Sequence, residues 1–135
     1  MKPEVLFHGS TVQNLKLLKP VKRYTPDGKI DYEAIYATPL PAYAAVHAFP
    51  WGSNEGFDLD VINGIVEFVV PIEHKTRLNV PVSIYTISLD GFEFTKEEIV
   101  GYTWHSVKEV KVIKEEVYNS VIDAVSKFGG VIKYK

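Results

Sequence analysis

Apolar residues early in the chain occur in two short runs, each of which ends in small polar residues. The first run is Val5–Ser10 and the second is Ala34–Thr38. A buried strand that emerges at the edge of a binding site has this pattern. We therefore predict two strands, one presenting the imidazole of His8 and the other the phenol ring of Tyr36. Periodicity alone leaves open whether the two strands are neighbours.

Helical spacing follows the second run. Residues 40–49 are rich in alanine, and their apolar positions recur at intervals of three and four residues. Thr38 and Pro39 supply an N-cap residue and a proline at the first helical position. We predict a helix over 40–49 whose apolar stripe, including His47, packs on a sheet.

The segments between these elements are less regular. Residues 11–20 carry apolar side chains at every third position, which predicts a short helical turn or an irregular segment that ends at Pro20. Polar residues and the turn signature Pro26–Lys29 predict a mobile surface loop over 21–33. Loops of this kind often carry binding groups.

The rest of the chain has mainly β character. The turn dipeptide Asn63-Gly64 precedes it, and helical spacing returns only between Val117 and Phe128, before Gly129. Strands are predicted over 65–70, 80–87, 92–94, 99–106, 109–114 and 131–134. Strands that do not alternate regularly with helices predict an α+β fold with mainly antiparallel sheet and two or three helices.

Composition sets only broad limits. The 135 residues have the size of one domain, 1–135, and a formal net charge of −2. A protein that binds nucleic acid by neutralising phosphates usually carries a basic excess, so the balanced charge implies no particular partner. The absence of cysteine excludes disulfides and zinc sites with thiolate ligands.

Membrane and export signals are also missing from the sequence. No apolar run approaches the ~18 residues that a membrane-spanning helix needs. The chain begins with a predicted strand instead of the apolar core of a signal peptide. We therefore expect a cytoplasmic protein with no membrane segment.

Familiar catalytic motifs do not occur in the chain. His8, His47, His74 and His105 lack the short spacings of metal ligands, so no metal site is predicted. The chain has no glycine-rich phosphate loop, dinucleotide fingerprint or serine nucleophile elbow. On these grounds alone, His8 is equally compatible with a core histidine, and Tyr36 with an ordinary sheet aromatic.

One ordered set of motifs resembles a known family. Phe7–Ser10, Lys19-Pro20 and Ile35–Pro39 are followed by an alanine-rich helix with Tyr43–Ala45. This order resembles the first half of the ADP-ribosyltransferase superfamily, in its diphtheria-toxin/PARP-like His-Tyr-Glu branch. The resemblance covers 5–49 by motif and implies mainly antiparallel split sheets around a cleft that holds NAD.

The resemblance also implies a role for each matching residue. His8 matches the histidine whose imidazole hydrogen-bonds a ribose hydroxyl of NAD. Gly9 matches the glycine whose backbone N–H and C=O pair with the nicotinamide carboxamide, and Ser10 lies where a hydroxyl can reach the nicotinamide or its ribose. Tyr36 matches the aromatic residue that stacks on the nicotinamide ring, with Thr38 beside it.

The third motif of the family is altered in this chain. In the His-Tyr-Glu branch, a glutamate opens a late strand and stabilises the ribosyl cation as nicotinamide leaves. Thr103 stands at the corresponding position, and threonine has no negative charge to supply. Family members without the glutamate resemble either mono-ADP-ribosyltransferases that borrow a carboxylate from the substrate or inactive folds.

The resemblance therefore implies two alternative functions. One is an enzyme that uses NAD as a substrate and transfers ADP-ribose to a protein or nucleic-acid acceptor, with Thr103 at the catalytic position. The other is a catalytically inactive module that retains the cleft and binds a nucleotide or a partner. A purely structural α+β domain, in which His8 and Tyr36 are buried, is the third interpretation.

Overall fold

A computed structural model describes residues 5–24, 30–90, 92–94 and 104–135. The strands within these ranges are β1 (Val5–Ser10), β2 (Leu17–Leu18), β3 (Val21–Tyr24), β4 (Ile30–Ala37), β5 (Asp58–Ile62), β6 (Ile65–Val70), β7 (Val82–Ser88), β8 (Glu93–Phe94), β9 (Trp104–Ser106), β10 (Val110–Tyr118) and β11 (Val131–Tyr134). The helices are α1 (Pro41–Val46) and α2 (Val121–Lys127), and 3-10 segments span Ser53–Glu55 and Ile72–Leu78.

The strands form three sheets. The first sheet has the order β1-β7-β10-β2, the second β3-β4-β9-β8, and the third β11-β6-β5. Only the pairing of β11 with β6 is parallel among the described strand pairs. The predicted α+β class with mainly antiparallel sheet and two or three helices is confirmed.

The first and second sheets meet at one backbone bridge. The Phe7 N–H donates to the Thr38 carbonyl at 2.7 Å, and the Thr38 N–H donates back to the Phe7 carbonyl at 3.0 Å. In the described chain, β1 and β4 share no other backbone pair. Among the described residues, the two sheets are therefore joined by backbone pairing only at this bridge. They separate on the side of the bridge toward Tyr36.

Two hydrophobic clusters lie on opposite faces of the first sheet. On one face, Val82 and Ile84 of β7 pack with α1, α2 and the buried residues of β6. On the other face, Tyr85 and Ile87 pack with Leu6 and with Ile35 from β4. β7 contributes buried apolar side chains to both clusters, so its two faces are both packed and neither is left to solvent.

Helix α1 is shorter than the predicted helix over 40–49. Its N-cap is Leu40 instead of Thr38, and Pro41 is its first helical residue. The Thr38 hydroxyl still accepts a hydrogen bond from the Leu40 N–H, at 3.2 Å. His47 is exposed at the C-terminal end of α1, so its predicted place in the buried stripe was wrong.

Short strands occur where the sequence predicted none. β2 lies in the segment predicted as a helical turn or irregular, and β3 and the start of β4 lie in the predicted loop over 21–33. β2 is held by pairing with β10, and β3 by pairing with β4. The turn signature Pro26–Lys29 lies outside the described residues, as do the first five residues of the strand predicted over 99–106.

The C-terminal half follows the predicted pattern more closely. Asn63 and Gly64 have φ angles of 52° and 79°, and their turn joins β5 to β6. The predicted strand over 131–134 is β11. Helix α2 begins only at Val121, because β10 continues through Tyr118 to pair with β7.

We expect Ser120→Ala to destabilise the fold by about 1 kcal/mol, because the Ser120 hydroxyl caps α2 by accepting the Asp123 N–H at 3.0 Å. The free energy of unfolding from urea denaturation would measure the loss. Ser126→Ala, at an exposed position inside the same helix, is the control and should be neutral or slightly stabilising. An equal loss in both variants would contradict the capping role.

Candidate functional site

The two rings predicted from sequence come from adjoining strands. His8 lies on β1, one residue after the bridge to β4, and its Nδ1 lies 2.7 Å from the carbonyl oxygen of Tyr36. A carbonyl oxygen can only accept a hydrogen bond, so Nδ1 carries the hydrogen and donates it. The imidazole thus spans the gap that opens where the backbone pairing of β1 and β4 stops.

This hydrogen bond determines what the other ring nitrogen can do. Burial lowers the pKa of the His8 imidazole below its usual range, and the hydrogen bond to Tyr36 offsets that effect only in part. The ring is therefore neutral near pH 7, with hydrogen on Nδ1 and a lone pair on Nε2. Nε2 is a hydrogen-bond acceptor, which suits a ligand group that donates, such as a hydroxyl.

Gly9 has a packing role that the sequence did not predict. A Cβ at this position would clash with the carbonyl oxygen of Ala44 and lie 3.1 Å from the Cβ of Ala48. Helix α1 therefore lies directly on the Gly9 backbone. This contact requires glycine at position 9 whether or not a ligand binds there.

The backbone of Gly9 also points toward the gap. Residues of an antiparallel strand direct their N–H and C=O groups alternately to either side. Because Phe7 exchanges both of its hydrogen bonds with Thr38, the N–H and C=O of Gly9 lie on that same side of β1, away from β7. Both polar groups are placed at the point where β4 has separated from β1.

Ser10 and Thr38 both have hydroxyls that accept local hydrogen bonds. The Ser10 Oγ accepts the Val12 N–H at 3.0 Å, and the Thr38 Oγ1 accepts the Leu40 N–H at 3.2 Å. Thr38 is almost fully buried, whereas Ser10 is half-buried. Each hydroxyl thus fixes the backbone of the two residues that follow it. Each also retains a hydrogen that it can donate.

His105 is a third ring that the structure brings to this region. It pairs with Tyr36 in the register between β4 and β9, and the two ring centroids lie 6.5 Å apart with 43° between the ring planes. Directly paired residues of neighbouring strands share one face of a sheet. The sequence analysis considered His105 only as a metal ligand and rejected that role, since nothing local indicated that β9 pairs with β4.

A polar network lies beside His8 on the first sheet. Tyr85, the register partner of His8, donates from its hydroxyl to the Val12 carbonyl at 2.5 Å and accepts the Leu15 N–H at 3.2 Å. Glu115 Oε2 accepts hydrogen bonds from Ser83 Oγ at 2.6 Å and from the backbone N–H of residue 14 at 3.0 Å.

This network holds residues 12–15 over the face of the first sheet that carries His8. The Ser83 hydroxyl, more than any other group, holds the pKa of the Glu115 carboxyl below its usual range. Burial raises the pKa of the Tyr85 phenol, so this hydroxyl keeps the hydrogen that it donates to Val12. The sequence indicated Tyr85 only as a core or cleft-wall aromatic and gave no role to Glu115. The hydrogen bonds of Tyr85 were not predictable, because they join positions about 70 residues apart.

Thr103, the predicted catalytic residue, lies outside the described residues. The described strand β9 begins at the next residue, Trp104. Within the described ranges, no group of three or more histidine, aspartate or glutamate side chains is arranged to hold a metal ion. None of the described helices is long and apolar enough to cross a membrane.

Compared with known proteins, the chain matches no family model, no curated protein and no solved structure. The remaining indication of function is the site itself, namely His8, Gly9, Ser10, Tyr36 and Thr38 around the junction of β1 and β4.

We expect Gly9→Ala to lower the free energy of unfolding by about 1–3 kcal/mol, because the added methyl group must displace α1 from the sheet. Chemical denaturation would measure this. Ser10→Ala, one residue along the same strand, is the matched control and should cost less. A Gly9→Ala variant as stable as the wild type would show that α1 does not press on this backbone.

The His8 pKa predicts how stability depends on pH. As the pH falls below the usual histidine pKa of about 6.5, the unfolded chain gains a proton that the folded imidazole resists, so stability declines. Above that pH the contribution is fully present. Denaturation curves between pH 7.5 and pH 5, both chosen to bracket about 6.5, should show this decline in the wild type.

The same decline should be weaker in His8→Gln, which has no titrating group at position 8. Ser10→Ala, which alters the neighbouring side chain and leaves the imidazole in place, should keep the wild-type pH dependence. Parallel pH profiles for the wild type and His8→Gln would contradict the assignment of this titration to His8.

Proposed function

We propose that this chain binds NAD at the junction of β1 and β4 and that it is an ADP-ribosyltransferase-like protein. The observation that carries the proposal is the 2.7 Å hydrogen bond between His8 Nδ1 and the Tyr36 carbonyl. It brings together the two motifs, 28 residues apart in the chain, on which the family resemblance depends.

The chemistry of the individual groups suits a dinucleotide. His8 Nε2 can accept a hydrogen bond from a ribose hydroxyl, since Nδ1 carries the hydrogen. The N–H and C=O of Gly9, which lie on the side of the gap, can pair with a carboxamide, a group that offers both an acceptor and a donor. The Tyr36 ring supplies a flat surface for an aromatic ring such as nicotinamide.

In the proposed reaction, the bond between C1′ of the ribose and the ring nitrogen of nicotinamide breaks. Nicotinamide leaves with the bonding electron pair, and the positive charge passes to the ribose. A nucleophilic oxygen or nitrogen of a protein or nucleic-acid acceptor then bonds to C1′ and releases its proton to solvent. Atoms and electrons balance without any further oxidant or reductant.

Thr103 favours a second candidate function. A threonine at the position of the family glutamate cannot stabilise the ribosyl cation by charge. A module that binds NAD or ADP-ribose without cleaving NAD would need the His8 and Tyr36 contacts and would not need that carboxylate. The two functions therefore share a binding site and differ in the release of nicotinamide.

We expect NAD to bind the wild-type protein and His8→Gln to bind it about tenfold more weakly, since about 1.4 kcal/mol is the scale of one lost hydrogen bond. Isothermal titration with NAD and ADP-ribose would measure the affinities. His47→Gln, which alters the exposed histidine just after α1, is the control and should bind like the wild type.

Nicotinamide release, followed by proton NMR in the same samples, separates the two functions. Release by the wild type supports the transferase, and binding without release supports the inactive module. If millimolar NAD and millimolar ADP-ribose both give neither a heat of binding nor a thermal shift, both functions fail, because a ligand at about 100 times its dissociation constant stabilises a protein by roughly 2.7 kcal/mol.

A further inference from the structure

Strand β10 has an outer edge that its neighbour covers only in part. β2 pairs with Val110 and Lys111, and the Val112 N–H donates to the Lys16 carbonyl at 3.1 Å. Beyond Val112, no described strand pairs with this edge, although β10 continues to Tyr118. An open strand edge is a template for pairing with another strand.

The hydrogen-bond pattern of the first sheet shows which residues of this edge point outward. Phe7 directs its backbone groups to Thr38, so the residues before and after it on β1 direct theirs to β7. Every second residue of β7 therefore bonds β1, and the β7 residues between them bond β10. Ile84 is one of the β7 residues that bond β10, and its partner there is Glu116. Glu115 and Val117 therefore direct their N–H and C=O groups outward, away from β7.

Large apolar side chains are exposed along the same edge. Ile113 is 63% exposed and Val117 is 57% exposed. Val12 is 54% exposed and belongs to the segment that Glu115 anchors. Ile113 is also the extra residue of a bulge, because the register with β7 shifts between Val112 and Lys114. The open edge thus combines unpaired backbone with exposed hydrophobic surface.

We propose that the open edge of β10 pairs with the same edge of a second copy of this chain, antiparallel, about a two-fold axis at Glu115. An antiparallel pair needs outward-bonding residues opposite one another. Centring the pair on Glu115 meets this condition at the axis, where Glu115 lies opposite its own copy, and it brings Val117 beside the bulge residue Ile113 of the second copy. Both apolar side chains are then covered.

The charges along β10 favour this register. Lys114 comes to lie opposite Glu116 of the second copy, and the two-fold axis repeats the pair. Within one chain, Lys114 Nζ already lies 3.5 Å from Glu116 Oε1, so both side chains are on one face of the sheet. Opposite charges at directly paired positions stabilise a sheet, whereas like charges destabilise it.

The two Glu115 side chains at the axis are each hydrogen-bonded within their own chain, which offsets part of the repulsion between them. Each carboxylate is held on its own chain by hydrogen bonds from Ser83 Oγ and from the residue 14 N–H. Ser83 lies on β7, so one of these hydrogen bonds directs the carboxylate toward the neighbouring strand of its own sheet.

The edge of β5 provides a contrast within the same chain. There, the Leu59 N–H donates to Asp58 Oδ1 at 2.9 Å, and the Val61 N–H donates to Asp60 Oδ1 at 2.8 Å. Two aspartates thus occupy backbone donors of that edge and add negative charge, which disfavours pairing with another strand. At the described outer edge of β10 beyond Val112, the carboxylates of Glu115 and Glu116 bond Ser83, the residue 14 N–H and the Tyr118 hydroxyl, and neither occupies an N–H of β10.

Sedimentation velocity of the full chain, from about 10 μM to about 1 mM, tests the proposal. The wild type should show a dimer whose fraction rises with concentration. Val117→Lys should weaken association at least tenfold. Ile72→Lys, which alters an isoleucine with 56% exposure outside this edge, is the control and should associate like the wild type.

Charge reversal tests the register. Lys114→Glu and Glu116→Lys should each weaken self-association, because each places like charges opposite one another. An equimolar mixture of the two single variants should restore the dimer, since both cross-strand pairs then combine opposite charges. A simple loss of folding cannot produce this restoration.

Three results would overturn the proposal. A wild type that stays monomeric at every concentration would exclude pairing between the β10 edges of two copies. A dimer that Val117→Lys and Ile72→Lys weaken equally would not use this edge. A mixture of the two charge variants that associates no better than either variant alone would exclude the register centred on Glu115.

Discussion

The candidate site depends on the way two sheets meet at a single pair of residues. Phe7 and Thr38 exchange both of their backbone hydrogen bonds, and the neighbouring residues of β1 and β4 have separated too far to continue the pattern. A backbone carbonyl that loses its strand partner needs another donor. The His8 ring supplies that donor to Tyr36, so one imidazole supports the junction through Nδ1 and keeps a hydrogen-bond acceptor at Nε2.

The packing of α1 against β1 is a second constraint on the same region. A helix can approach a strand this closely only where side chains are small, and Gly9, Ala44 and Ala48 meet that condition. On the opposite face of the first sheet, Tyr85 and Glu115 anchor residues 12–15. The residues around His8 are thus held from both faces of the sheet, which limits how far the imidazole can shift.

Sequence reasoning succeeded where the controlling interactions are local. β1, β6 and β11 follow the distribution of apolar residues, and the Asn63-Gly64 turn follows from the ease with which these residues adopt positive φ. The α+β class followed from the irregular succession of strands and helices. The failures concern elements whose limits are set by a distant partner, such as β2, which exists because β10 pairs with it, and α2, whose start is delayed by the length of β10.

By itself, the sequence determined which groups are available, since an imidazole, a glycine and a phenol each lie in a recognisable strand or at its end. Tertiary structure alone decided which of them meet. Nothing local to residues 8 and 36 indicates that one ring nitrogen bonds the other residue's carbonyl, or that His105 lies beside Tyr36. These contacts arise from strand pairing between distant segments, whose register depends on burial and backbone hydrogen bonding across the whole sheet.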